Sequence, residues 1–116
     1  MSIQRIQQLV QIFAADRDWD QFHSPKNLAM ALSVEVAEVI EHFQWLTEDQ
    51  SRSLPKDKRK AIAEELADTF IYLVRLADKL DVDLLTAAEA KLAANATAYP
   101  VDKAKGNAKK YTEFDK

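Results

Sequence analysis

Four acidic residues fall in two matched pairs: Glu35-Val36-Ala37-Glu38 and, after a gap of 26 residues, Glu65-Leu66-Ala67-Asp68. Residues three apart on a helix are surface neighbours, so each pair offers two carboxylates to one spot. Both pairs border the apolar stripe of the helix that would carry them. If those helices pack antiparallel, the pairs face each other. Two like charges about 4 Å apart repel by roughly 1 kcal/mol in water and by about 4 kcal/mol at an effective dielectric of 20. Summed over four converging acids, that is a sizeable fraction of the roughly 5–15 kcal/mol that holds a domain together. A bound divalent cation removes the penalty, and all-oxygen ligation suits a hard ion, Mg²⁺ or Mn²⁺. One such Glu alone would ordinarily be a solvated surface residue. The pairing on neighbouring helices is what points to a metal. A di-iron bundle needs Glu-x-x-His pairs, and neither His23 nor His42 stands three residues after a Glu.

Composition removes several other chemistries. The chain has 116 residues and no cysteine, so disulfides, thiolate nucleophiles and Cys-ligated metal centres are excluded. Its single glycine, Gly106, cannot build a phosphate-cradling loop, so phosphates would have to be held by metal ions or by Lys and Arg. A formal net charge of −3 argues against duplex nucleic acid as the partner. The start, Met1-Ser2-Ile3-Gln4-Arg5, shows no secretory pattern. The most apolar stretch, Ala61 to Ala77, is broken by Glu64, Glu65, Asp68 and Arg75, which predicts no membrane span. The expected setting is the cytoplasm.

The elements that must position the acids are legible as four helices. Ile3, Ile6, Leu9, Val10 and Phe13 set a helical period over Ser2 to about Ala15. A polar and aromatic connector, Asp16 to His23, follows. Ser24-Pro25 reads as an N-cap with proline at the first helical position, opening a second helix to about Leu46. Thr47 to Leu54 is polar, and Ser53 to Pro55 marks the start of a third helix from Lys56 to about Leu80. Asp81-Val82-Asp83 restarts the chain for an alanine-rich fourth helix, Leu84 to Ala96, narrow enough to pack against another chain. Tyr99-Pro100 closes it. The expectation is all-α: an antiparallel bundle over residues 1–97, and a basic, extended tail over 98–116 that docks on the bundle or on a neighbouring subunit.

The spacing Glu35-x-x-Glu38…Glu65-x-x-Asp68 resembles the metal-binding signature of the MazG-like all-α nucleoside triphosphate pyrophosphohydrolases. Phe13, Trp19, Phe22, His23, Pro25 and Asn27, then Phe43-Gln44-Trp45, then Glu64, Ile71 and Tyr72 are similar to the dCTP pyrophosphatase branch. Lys91-x-x-x-Asn95-x-x-x-Tyr99-Pro100 and Lys110-Tyr111-Thr112-Glu113 continue the likeness, which runs from about Phe13 to Phe114. Two positions depart from it: Ala98, where the family commonly has arginine, and Val10, where some relatives have histidine.

The resemblance implies hydrolysis of a nucleoside triphosphate, dCTP or a modified dCTP, to the monophosphate and pyrophosphate with Mg²⁺. A homodimer or homotetramer with sites built across subunits is implied as well. Glu35, Glu38, Glu65 and Asp68 become the metal ligands, with Glu38 the candidate base. Trp19, Phe22, His23, Trp45 and Tyr72 become substrate contacts: aromatic rings stack on any base, so discrimination has to come from hydrogen bonds to its edge. Trp45, seven residues after Glu38, is expected on the same helix face. Asn27, Lys91, Asn95 and Lys110 are polar contacts to phosphate or scaffold, and Lys109 and Lys110 stand in for the absent glycine loop. Two other readings remain open. One is a hydrolase of broader dNTP range; the other is a non-catalytic helical oligomerisation or binding module, which would do better with apolar or paired residues in place of the four acids.

Overall fold

The computed structural model describes residues 1–114. All its regular structure is helical: α1 (Ile3–Asp16), α2 (Pro25–Phe43), α3 (Glu48–Ser51), α4 (Lys56–Lys79), α5 (Leu84–Ala98) and α6 (Val101–Ala104), with 3₁₀ turns at Asp20–Phe22 and Tyr111–Glu113. Four long helices are present where four are expected. The described residues fall into two compact units, Met1–Val82 and the segment from Asp83 onward.

In the first unit α4 is the central rod, packing against both α2 and α1. Its buried apolar residues are few: Ala14 of α1, Leu28 of α2, and Ile62, Val74 and Ala77 of α4. Local chemistry sets the ends of these helices. Ser2 and Ser24 each accept a hydrogen bond from the backbone three residues on, and Pro25 occupies the first turn of α2 as expected. Ser53 does not cap α4; Pro55 is its N-cap, without a side-chain bond.

Two helices end without glycine. Asp18 and Asp81 both adopt φ +55°, and in each case the aspartate's own amide and the next one turn back onto the last turn. Asp18 N–H donates to Ala15 O and Trp19 N–H to Ala14 O; Asp81 N–H donates to Asp78 O and Val82 N–H to Ala77 O. Both are Schellman closures with aspartate in the left-handed position that glycine usually fills.

α2 stops at Phe43, three residues before the expected end at Leu46. Thr47 is extended and forms a reciprocal capping box with Gln50, which starts α3 and pulls the chain out of the α2 spiral. Trp45 therefore lies beyond the end of α2 and is exposed.

In the second unit, α5 is capped by Asp83, which accepts from Thr86 N–H. The segment after Pro100, expected to be extended, is folded: α6 makes one turn, Gly106 takes φ +81°, and the 3₁₀ turn brings Tyr111 and Phe114 edge-on to Tyr99 at 6.0 and 5.7 Å. The aromatic contacts supply what the short polar segment lacks. Asp115 and Lys116 lie outside the described residues.

Candidate active site: a carboxylate cluster beside an aromatic cavity

α2 and α4 bring three of the four expected acids together. Glu35, Glu38 and Glu65 each offer a carboxylate oxygen, and these atoms lie within 4.8 Å of one another. All three side chains are half-buried. One oxygen of Glu35, Oε2, is buried with no hydrogen-bond partner. A buried carboxylate oxygen left without a donor is costly, and a cation at the centre of the three would satisfy it. The electrostatics agree. Burial, then the adjacent Glu38 carboxyl and the charges of Asp68 and Glu65, push the Glu35 carboxyl above its ordinary range. Glu65 is also raised, chiefly by its contact with Glu38 and by desolvation, against a lowering influence from His42. A trio of converging carboxylates in which Glu35 and Glu65 resist ionising is a donor set a hard divalent cation stabilises. His42, in the last turn of α2, places Nε2 3.8 Å from Glu65 Oε1.

Asp68 stands apart from the trio but faces the second feature, a cavity of about 440 Å³ between α1, the connector and α4. Its wall is apolar and aromatic: Phe13 and Val10 from α1, Trp19 from the connector, Ile71 and Tyr72 from α4, with His23 and Arg75 as polar members beside Asp68. Trp19 meets Phe13 edge-on at 5.7 Å and His23 at 6.5 Å, and the guanidinium of Arg17 sits 3.6 Å over the Phe13 ring. The Schellman closure at Asp18 turns the chain so that Trp19 enters the wall.

The other expected substrate contacts are placed as follows. Phe22 is exposed and Trp45 is 87% exposed; neither lines the cavity. Asn27, in the first turn of α2, spends its amide on the carbonyl of Phe22 at 3.0 Å, tying the connector to α2. Lys91 and Asn95 lie on α5 and Lys110 precedes the 3₁₀ turn, all exposed in the second unit. The residue sequence reasoning missed is Arg75. Its side chain is 6% exposed, and it was visible only as a lone cation inside the apolar run Ile71 to Leu76.

The site of this all-α chain combines three carboxylates gathered from two packed helices, a donor set suited to a hard cation, with an aromatic cavity lined by the fourth acid, Asp68. The chain belongs to the MazG-like family, whose model matches residues 30–114. It is 45% identical to dCTP pyrophosphatase 1 of Mus musculus over 115 residues, covering 97% of this chain and 68% of that protein. The human protein of the same name is 43% identical over the same span. Among solved structures, a pyrophosphatase from Archaeoglobus fulgidus superposes with a TM-score of 0.79 at 34% identity, covering 84% of this chain and 91% of that one.

Proposed function

We propose that this protein is a Mg²⁺-dependent nucleoside triphosphate pyrophosphohydrolase that converts dCTP, or a base-modified dCTP, to the monophosphate and pyrophosphate. The observation that carries the reading is the juxtaposition at Asp68: a trio of carboxylates fit for a hard cation on one side, and a cavity sized and lined for a nucleobase on the other. The relatives named dCTP pyrophosphatase support the choice of base.

In this scheme Glu35, Glu38 and Glu65 hold the ion, with Asp68 at the cavity side of the cluster. The ion would neutralise phosphate charge and favour ionisation of the attacking water. Glu38, which offers a carboxylate oxygen within 4.8 Å of those of Glu35 and Glu65, receives the proton of that water as it attacks the triphosphate chain, and pyrophosphate departs from the nucleoside monophosphate. Trp19, Tyr72 and Phe13 enclose the base and exclude water from it, and His23 supplies a polar group at its edge. Lys91, Asn95 and the tail residue Lys110 are assigned to phosphate or scaffold contacts, and the working form is a homodimer or homotetramer in the cytoplasm.

The test is product analysis with a nucleotide panel and Mg²⁺. Monophosphate plus pyrophosphate, fastest from dCTP, is the expected result; diphosphate plus orthophosphate, or no turnover of any nucleotide, would overturn it.

A further inference from the structure

Arg75 is buried under the connector with all three edges of its guanidinium engaged. Nη2 donates to Asp20 Oδ1 at 2.7 Å, Nη1 reaches Asp78 Oδ2 at 3.5 Å, and Nε donates to His23 Nδ1 at 3.2 Å. Asp78 in turn accepts from the amides of Gln7 and Gln11, so the clamp spans α4, the connector and α1. Lys79 also contacts Asp20. Two carboxylates balance the buried cation, which is the condition under which a buried Arg is tolerated.

The third edge has a chemical consequence. An arginine Nε can only donate, so the ring atom facing it must carry a lone pair. His23 is then the neutral ring with its proton on Nε2, which leaves Nε2–H as the ring's other polar group. His23 lines the cavity described above. We propose that Arg75 is a specificity-positioning residue: its Nε–H fixes the His23 ring so that the cavity offers its ligand a hydrogen-bond donor at Nε2, selecting a base edge that bears an acceptor, such as O2 or N3 of a pyrimidine. The proposal rests on the reading that this cavity holds the base. The charged groups acting on the ring are Arg75 and Lys79 of α4 and Asp20 of the connector. Burial first, then the two cations, lower its pKa, while Asp20 raises it; the neutral form is the one favoured.

The experiment uses the full chain labelled with ¹⁵N at histidine. At pH 7.5 the wild-type His23 ring is expected to show a protonated Nε2 and an unprotonated Nδ1, and the Nε2 resonance to move on addition of the α,β-imido analogue of dCTP with Mg²⁺. In Arg75→Met the ring should become a tautomer mixture that titrates nearer 6.5, and KM for dCTP should rise about ten-fold while kcat falls by less. Arg75→Lys, which keeps the charge but loses the Nε donor, should match the Met variant in its tautomer mixture and raised KM, while its ring titrates closer to the wild type. A wild-type ring protonated at Nδ1 overturns the proposal without recourse to any variant. So does an Nε2 resonance that stays put in a protein that turns over dCTP. Absence of both turnover and analogue binding instead sinks the nucleotide reading, and with it the ligand half of this inference.

Discussion

Glu38 sits between two carboxylates that do not ionise freely, which makes its removal the sharpest test at the scale of single residues. Glu38→Gln keeps the shape and removes the proton acceptor, so hydrolysis should fall by about 10²–10⁴-fold with circular dichroism unchanged. A variant retaining wild-type rates would remove Glu38 from the mechanism. The same cluster predicts a pH dependence. Glu35 and Glu65 have carboxyls raised above 4.5 in the folded chain, so their contribution to stability is full below the unfolded value and is lost as pH rises through the folded one. Asp20, lowered chiefly by its hydrogen bond to Lys79, and His23 run the other way, contributing stability that fades as pH falls. Comparing Tm with and without Mg²⁺ isolates the cluster: the increase on adding Mg²⁺ should be larger at pH 8 than at pH 5. An equal increase at both, or none, would mean the acids do not bind the ion. The pairs themselves were legible in the sequence, because an i,i+3 spacing fixes two side chains on one face. The separation of Asp68 from the other three, and the His23–Arg75–Asp20 clamp across 52 and 55 residues, depend on packing that no local spacing encodes.

Helix existence followed from periodicity and capping chemistry, and the ends that differed did so for local reasons. α2 stops early because the Thr47–Gln50 box competes for the chain. The tail folds because Tyr99, Tyr111 and Phe114 find one another. The two aspartate closures make a prediction at this scale. Asp81 carries its left-handed conformation, with no side-chain hydrogen bond among the described residues to offset it, and branching at Cβ makes that conformation worse. Asp81→Val should lower the free energy of unfolding by about 1–2 kcal/mol, whereas Asp81→Gly should equal or exceed the wild type, as read from denaturant midpoints. The reverse order would mean that the turn refolds around the new residue.

At the scale of the whole molecule the notable quantity is the apolar surface left over. Val36 and Ile40 recur at helical spacing on α2, and Leu66, Phe70 and Leu73 on α4, yet all five are between 37% and 57% exposed, while the buried apolar core amounts to Ala14, Leu28, Ile62, Val74 and Ala77. Scattered exposed leucines mean little, but stripes on the two helices that carry the acids are the pattern of a surface meant to be covered. No helix among the described residues is long and apolar enough to cross a membrane, which removes a lipid span as the cover. A second copy of the chain would account for the stripes, because periodicity marks which face is apolar, not which molecule buries it. At micromolar concentration the protein should therefore sediment as a dimer or a larger closed assembly. Ile40→Glu combined with Phe70→Glu places charge on both stripes without touching the acids or the cavity wall, and should yield a helical monomer. If the monomer retains full turnover, each chain carries a complete site; if turnover falls with the assembly, a neighbour completes it. A wild-type chain that sediments as a monomer would refute the covered-face argument outright.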